Sequence, residues 1–193
     1  MSLQELVGRG TWTHEPEAVR LDGAELRVTA VEGSDAWRTT SYGFVHDSEH
    51  ALVEELPGEF GLEVSFRLDY AEQFDQAGLF LRAGADEWIK AGVEFSDGVP
   101  WVGAVVTHQT SDWSVAPVPE WAGQVVTVRA SRSGDAVTIR ARVDDEPYRL
   151  VRLAHLDPDA SVAGGLLMAA PTRAGLTVTF TGHAVGEPDS SLH

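Results

Sequence analysis

Apolar residues alternate with other residues in short segments that end at glycine, proline or aspartate. In segment 60–70, every second residue from Leu62 to Leu68 is apolar, which places these side chains on one face of an extended strand. The same pattern predicts strands at 26–31, 51–56, 75–83, 87–95, 101–107, 125–131, 136–143, 148–153, 165–170 and 176–185. No segment has the periodicity of a long helix.

The turns between these segments indicate how the strands are connected. Ser96-Asp97-Gly98 is a hairpin signal, and residues 125–153 have the spacing of a three-strand meander. About eleven strands without crossover helices predict an all-β fold, a two-sheet antiparallel jelly-roll sandwich. A lipocalin-like barrel is the alternative, but its connections are usually more regular than those of this chain.

The chain has no composition break that would mark a domain boundary. We therefore expect one domain at residues 1–185, followed by a polar, flexible tail at 186–193. The irregular segment 34–50 is predicted to form long loops over an edge or a face of a sheet.

Charge and cysteine content narrow the classes of partner. Thirty acidic and fourteen basic residues give a net charge of −16, which repels nucleic acid and anionic membranes. The chain has no cysteine, which excludes disulfides and thiolate metal sites and suits a reducing cytosol. We found neither a secretory signal nor a long apolar run, so the cytoplasm is the expected location.

Four sequence blocks carry a family resemblance: residues 35–44 (DAWRTTSYGF), 74–79 (FDQAGL), 88–95 (WIKAGVEF) and 111–114 (SDWS). Together with the residues between and around them, roughly from residue 12 to residue 185, they resemble domain-of-unknown-function family 1349. That family includes a yeast protein linked to the regulation of enolase. The resemblance implies a concanavalin A-like lectin or glucanase fold, and it suggests a metabolic enzyme as a partner. It implies no settled activity.

The strands on either side of residue 85 have two chemically different faces. Ala77, Leu79 and Leu81 on one strand and Ile89, Ala91, Val93 and Phe95 on the next form the core face. The opposite face carries Gln76, Arg82, Lys90 and Glu94, together with the aromatic Phe80 and Trp88. Gly78, Gly92 and Gly103 fall on that second face, where we expect them to line the floor of a groove.

This polar face is the candidate ligand site. Amide and charged groups beside aromatic rings are the residue types that bind saccharides on the concave sheet of such sandwiches. The predicted ligand-binding residues are Gln76, Arg82, Lys90, Glu94 and Trp101, with Trp37, His46, Asp112 and Trp113 in nearby loops. The structural alternative is that Lys90 and Glu94 only form ordinary cross-strand pairs.

No catalytic signature is present in the sequence. A retaining glucanase needs two carboxylates about 5 Å apart, usually on one strand. The acidic pairs spaced two residues apart all fall in turns or irregular segments: Asp47 with Glu49, Asp144 with Glu146, and Asp157 with Asp159. The chain also lacks a nucleophile elbow and a phosphate-binding glycine loop.

A metal site is also not predicted, and no cofactor is implied. His46 and His50 have the four-residue spacing that would bring two imidazoles together on a helix, with Asp47 and Glu49 as oxygen ligands. Because no helix is predicted there, we interpret them as solvated loop histidines.

Three functional hypotheses follow. The leading one is a non-catalytic binding domain for a saccharide or another polyhydroxylated ligand. The second is a regulatory module of cytosolic sugar metabolism that binds an enzyme. The third is an atypical glycoside hydrolase, for which a carboxylate pair would have to form through space.

Overall fold

The computed structural model describes residues 2–192, and the fold is an all-β antiparallel sandwich as predicted. The strands are β1 (Thr11–Trp12), β2 (Ala18–Asp22), β3 (Glu25–Thr29), β4 (Ala36–Arg38), β5 (Val45–Asp47), β6 (His50–Glu55), β7 (Phe60–Arg67), β8 (Gln76–Arg82), β9 (Glu87–Ser96), β10 (Val99–His108), β11 (Thr110–Pro117), β12 (Val125–Ser133), β13 (Ala136–Val143), β14 (Arg149–His155), β15 (Ala163–Ala169) and β16 (Thr177–Gly186). Helix α1 (Leu3–Arg9) precedes them, and a short 3-10 helix (Pro119–Trp121) follows β11.

Two seven-stranded sheets form the sandwich. The front sheet has the order β1-β6-β15-β8-β9-β10-β11, and the back sheet has the order β14-β13-β12-β7-β16-β3-β2. Strands β4 and β5 form a separate two-stranded hairpin, which we call the flap. As predicted, β8, β9 and β10 lie side by side in the front sheet, and β12, β13 and β14 lie side by side in the back sheet.

The core lies between the two sheets and follows the alternation in the sequence. Leu62, Val64 and Phe66 of β7 are fully buried against it, and so are Leu79 of β8 and Val93 of β9. The opposite phase of β8 and β9 therefore lies on the outer face of the front sheet, away from this core.

The turn between β9 and β10 has the geometry expected of its sequence. Ser96 pairs directly with Val99, so Asp97 and Gly98 form a two-residue loop. Both loop residues have positive φ angles, 51° and 84°. This is the left-handed pair that matches the twist of a tight hairpin. The turn fixes the register of β9 against β10 and so fixes which side chains share the outer face.

Several elements were not predicted from the sequence. Helix α1 is only seven residues long, but it begins with a capping box between Ser2 and Glu5 and buries Leu3 and Leu6. Asp112 and Trp113 were expected in or near a loop, and the structure places both in a strand. These residues lie in β11, which pairs along its whole length with β10 at the edge of the front sheet.

The C-terminal segment after β16 is attached to the back sheet at Asp189. Arg129 Nε donates to Asp189 Oδ1 at 2.8 Å, and Arg140 contacts the second carboxylate oxygen. The Asp189 backbone N–H also donates to Ser131 Oγ at 2.7 Å.

Among residues 2–192, no helix is both long and apolar enough to span a membrane.

Candidate functional site

The flap lies on the outer face of the front sheet and buries part of it. Trp37 of the flap packs with Phe80, Trp88 and Val105, which come from three adjacent strands. All four side chains are buried. We call this region the closed half of the outer face. Its aromatic residues belong to a second apolar cluster, separate from the core between the sheets.

The flap is also fixed to β11 and to the turn before it. Arg38 donates its backbone N–H to Ser111 Oγ at 2.9 Å and its Nε–H to the Gln109 carbonyl at 3.1 Å. The turn of the flap contains Thr39 and Ser41 with φ angles of 57° and 65°, a conformation that is uncommon for residues other than glycine. These contacts hold the aromatic residues of the flap over the sheet.

Lys90 is the only lysine of the chain, and it is buried at the border of the closed half, in the same cross-strand row as Phe80 and Val105. We call the rest of the outer face, on the side of Gln76 and Glu94, the open half. Its Nζ donates to Asp35 Oδ1 at 2.8 Å and to Gln76 Oε1 at 2.9 Å. Gln76 Nε2 in turn donates to Asp35 Oδ1 at 3.3 Å. The buried ammonium is thus paired with a carboxylate from the segment just before the flap, which offsets the cost of removing it from water.

A row of glycines crosses the sheet beneath this network. Gly78, Gly92 and Gly103 are direct cross-strand partners on β8, β9 and β10. A Cβ atom at Gly92 would lie 2.0 Å from the carbonyl oxygen of Ala77, and one at Gly78 would meet the Ala91 oxygen at the same distance. Glycine is therefore required by the close approach of the strands themselves.

The glycine row also leaves space above the sheet. Lys90 pairs in register with Phe80, whereas Gln76 pairs with Glu94, on the far side of the row. The hydrogen bond from Lys90 to Gln76 must therefore pass over the glycine positions. A side chain at Gly78 or Gly92 would obstruct this hydrogen bond.

Glu94 is the one strongly perturbed carboxyl group on this face. Burial raises the pKa of Glu94 to about 7; the nearby Lys90 lowers it and Asp35 raises it. Among residues 2–192, no group forms a hydrogen bond or an ion pair with the Glu94 carboxylate. A carboxyl group with this pKa exchanges its proton near neutral pH, and Glu94 lines the space above this face of the sheet.

A cavity of about 380 Å³ lies between this polar floor and the flap. It is lined by Gly33, Asp35, Trp37, Tyr42, Phe44, His46, Phe74, Gln76, Lys90, Glu94, Val105, Trp113, Pro171 and Thr172. We call it the outer cavity. Four of the aromatic residues in this set are substantially exposed, namely Tyr42, Phe44, Phe74 and Trp113.

The aromatic rings of the outer cavity form a continuous series. Tyr42 stacks on Phe44 with 5.3 Å between ring centroids, and Phe44 meets His46 edge to face at 4.6 Å. On the other side, Trp37 contacts both Tyr42 and Trp113 edge to face. Each ring therefore holds its neighbour in place, and the exposed ring faces remain available to a ligand.

Phe74 lies at the opposite rim in a strained conformation. Its φ angle is 67°, which is unusual for a bulky residue and is found most often where the surrounding structure imposes it. The Phe74 N–H donates to the Phe95 carbonyl at 2.6 Å, and the next residue, Asp75, is fully buried against Arg173. These contacts hold an exposed aromatic ring at the cavity.

Most of the residues predicted from the sequence as a ligand site lie together. Trp37, His46, Gln76, Lys90, Glu94 and Trp113 all line the outer cavity. Trp101 lines a shallow depression next to it, and its Nε1–H donates to the Ser96 carbonyl at 2.8 Å.

Two predicted residues lie elsewhere. Arg82 is in the same cross-strand row as Trp88, beyond Phe80, and does not line the cavity. Asp112 and Trp113 are adjacent in β11 and point to opposite faces of the sheet. Asp112 Oδ1 forms an ion pair with Arg152 Nη2 of the back sheet at 3.1 Å. Neither residue is part of the site.

Several cavity residues were missed by sequence reasoning. Asp35, Tyr42 and Phe44 belong to the sequence block that carried the family resemblance, so that block contained the available signal. Phe74 begins another such block, while Pro171 and Thr172 have no comparable signal.

Comparison with known proteins gives a family match for nearly the whole chain. Residues 12–188 match the family described as "Protein of unknown function (DUF1349)". The chain belongs to this family. A protein from Saccharomyces cerevisiae, "Regulation of enolase protein 1", is 32% identical over 188 residues, which cover 97% of this chain and 94% of the yeast protein.

Solved structures extend the comparison to the fold. A crystal structure of a functionally unknown protein from Saccharomyces cerevisiae has a TM-score of 0.89 and 32% identity, and the alignment covers 95% of this family member and 99% of the yeast chain. The xylan β-1,4-xylosidase from Bacillus halodurans has a TM-score of 0.68 at 13% identity over 86% of this chain, but only 33% of the xylosidase chain is covered. The second similarity concerns the fold alone.

Proposed function

We propose that this protein is a non-catalytic binding domain whose outer cavity holds a saccharide or another polyhydroxylated ligand. The observation that carries this proposal is one cavity in which exposed aromatic rings lie above a buried polar network of Lys90, Gln76 and Asp35. The cavity volume of about 380 Å³ falls within the range of small-molecule sites, and its lining combines apolar walls with a few fixed polar groups.

The polar groups suit hydroxyl groups in particular. A sugar hydroxyl both donates and accepts, so it can accept from the Lys90 ammonium and donate to the Glu94 carboxylate. Lys90 is already balanced by Asp35, which means that the site does not demand a charged ligand. The flat faces of Tyr42 and Trp113 would pack against the apolar face of a sugar ring.

A second function, regulation of a metabolic enzyme, is favoured by the relative named as a regulator of enolase. The similarity covers 94% of that relative, which is nearly its whole length. Enolase is therefore the first protein partner to test, and this role would place the protein in the cytoplasm. The two functions are compatible if a saccharide or a sugar-derived ligand controls the interaction.

The proposal is tested by calorimetric titration and thermal unfolding against a panel of soluble oligosaccharides. A ligand at ten times its Kd stabilises the folded state by about 1.4 kcal/mol, which raises the Tm of a domain of this size by about 3–5 °C. We expect one bound ligand per chain and no release of products during prolonged incubation.

Matched variants assign the binding to the outer cavity. Trp113→Ala and Glu94→Gln should leave the fold intact and weaken binding about tenfold or more, because each removes a group that faces the cavity. Leu150→Ala is the control, since Leu150 is exposed like Trp113 but lies on β14 of the back sheet.

The outcomes distinguish the hypotheses. Unchanged affinity in both cavity variants would refute the site, and absence of any ligand in the panel would leave the enzyme-regulation hypothesis, which is tested by titration with purified enolase. Turnover of an oligosaccharide that disappears in Glu94→Gln would show that the protein is an enzyme and would contradict the non-catalytic proposal.

A further inference from the structure

A second group of ligating side chains lies at the base of the flap, outside the outer cavity. His14 follows β1, Asp47 is the last residue of β5, and Glu49 immediately precedes β6. One ligating atom from each of the three residues lies within 4.8 Å of the other two. The fold thus brings together a histidine and two carboxylates from segments about 35 residues apart in sequence.

The Glu49 carboxylate is a buried group whose oxygens form no hydrogen bond within the described residues. Its side chain is 2% exposed, and both of its oxygens lack a hydrogen-bond partner among residues 2–192. His14 Nδ1 lies 3.9 Å from Glu49 Oε1, which is beyond hydrogen-bonding distance. Burial removes the stabilisation that water gives a carboxylate, and a cation bound beside Glu49 would offset this cost.

A backbone hydrogen bond fixes the tautomer of His14. His14 Nδ1 lies 3.0 Å from the carbonyl oxygen of Glu49, and this oxygen also accepts from Thr13 Oγ1 at 3.0 Å. Because a carbonyl oxygen can only accept, Nδ1 carries the proton and Nε2 keeps its lone pair in the neutral ring. Metal-bound histidines are typically held in this way, with one nitrogen donating to a backbone carbonyl.

The interpretation of His50 as a solvated loop histidine was wrong, because His50 is buried at the start of β6. Its Nε2 accepts from the Val31 N–H at 3.0 Å, and its Nδ1 lies 3.0 Å from the His14 carbonyl. Both nitrogens are therefore engaged by the backbone, which excludes His50 as a ligand and fixes the position of the His14 backbone. The spacing of His46 and His50 thus indicates no metal site.

We propose that His14, Asp47 and Glu49 bind a divalent cation of the Zn²⁺ class. One nitrogen and two carboxylate donors match the ligands that Zn²⁺ and similar transition-metal ions take from proteins, with water in the remaining position. Ca²⁺ prefers six to eight oxygen ligands, which this group does not supply. The cation joins the N-terminal segment, the flap and β6, and it fixes the flap strand that carries His46.

The experiment uses the untagged full chain after removal of metal ions with a chelator. ZnCl₂, MnCl₂ and CaCl₂ are titrated separately by calorimetry, and the Tm is measured with and without each ion. We expect one Zn²⁺ per chain, a Tm rise of about 6–10 °C at a hundredfold excess over Kd, and much weaker binding of Ca²⁺.

Two variants and a control assign the site. Asp47 is exposed, so Asp47→Asn should fold normally and weaken Zn²⁺ binding about tenfold or more. Glu49→Gln should abolish the response and raise the Tm of the metal-free protein, because a neutral amide replaces the unpartnered carboxylate. Asp135→Asn alters an exposed aspartate 3.8 Å from His155 and should leave Zn²⁺ binding unchanged.

Three results would overturn the proposal. One is the absence of saturable binding at one ion per chain. Another is wild-type Zn²⁺ affinity in both Asp47→Asn and Glu49→Gln. An equal loss in Asp135→Asn would be the third, since it would assign the binding to the acidic surface in general. The metal-free Tm of Glu49→Gln also tests the unpartnered carboxylate separately from any metal.

Discussion

The closed and open halves of the outer face are built from the same strands and have opposite properties. In the closed half, Phe80 and Trp88 are buried beneath the flap. In the open half, Gln76 and Glu94, only four to six residues away on the same strands, line a cavity beside exposed aromatic rings. Strand alternation separates the two faces of a sheet, but a distant segment of the chain decides which part of a face is covered.

The two halves also differ in what they contribute to stability. Burial of large aromatic side chains in the closed half stabilises the folded state. The open half holds a carboxyl group with a raised pKa, and a buried ion pair lies at its border with the closed half; both are costly to remove from water. Binding sites commonly combine these features, because groups poised for a ligand are imperfectly satisfied without it.

The largest loss of stability is expected for a substitution in the closed half. Trp88→Ala should lower the free energy of unfolding by about 3–5 kcal/mol, because it leaves a large void under the flap. Trp113→Ala is the matched control in the open half and should cost less than about 1 kcal/mol, since that ring is already 43% exposed. Denaturant unfolding measures both; equal losses would mean that the halves do not differ as described.

A smaller loss of stability is expected when the buried ion pair is broken. Lys90→Met should lower the free energy of unfolding by about 2–3 kcal/mol, because Asp35 then keeps a charge without its partner. The double variant Lys90→Met/Asp35→Asn should recover part of this loss. A double-mutant cycle by urea unfolding measures the coupling, and strictly additive losses would show that the pair does not interact.

The pH dependence of stability tests Glu94. Its folded-state pKa of about 7 lies above the ordinary value of 4.5, so the folded protein binds the proton more tightly and loses stability as the pH rises from 4.5 through 7. Glu94→Gln removes this loss and should be more stable than the wild type at pH 8, by about 1–2 kcal/mol after allowance for partial exposure.

Urea unfolding of both proteins at pH 5 and pH 8 makes this comparison, and titrations shared by the two proteins cancel. Glu94→Gln should exceed the wild type in free energy of unfolding by more at pH 8 than at pH 5. A gap that does not change with pH would contradict the raised pKa.

The smallest effect on stability is expected at the rim of the cavity. Tyr42 is 61% exposed, so Tyr42→Ala should change the free energy of unfolding by less than about 0.5 kcal/mol. If the rings of the outer cavity contact a ligand, the same variant should weaken binding about tenfold. Calorimetric titration beside thermal unfolding separates the two effects; a large loss of stability would instead make Tyr42 a structural part of the flap.

The architecture could be predicted from the sequence where one face of a strand is buried. Strand β7 and the run from β8 to β10 have clear alternation because the core requires an apolar residue at every second position. Strand β11 lies at the sheet edge with mostly exposed residues, so its pattern is weak. The two flap strands are three residues long, too short for any period to appear.

The candidate site was only partly predictable for a related reason. The phase of β8 and β9 correctly grouped Gln76, Lys90 and Glu94 on one face. The partner of Lys90, however, is Asp35, 55 residues earlier in the chain, and no local pattern encodes that contact. The prediction of Asp112 failed within a single strand. Its neighbour Trp113 faces the cavity, so strand alternation turns the Asp112 side chain away from it.

The order of the strands has a consequence for the synthesis of the protein. Strand β16 lies between β7 and β3 in the back sheet, and β15 lies between β6 and β8 in the front sheet. The strands made first are therefore joined to the middle of each sheet only by the strands made last. A nascent chain on the ribosome cannot complete the front sheet until Ala163–Ala169 has left the exit tunnel, or the back sheet until Thr177–Gly186 has followed it. Its early hydrophobic strands therefore need protection from aggregation through most of translation.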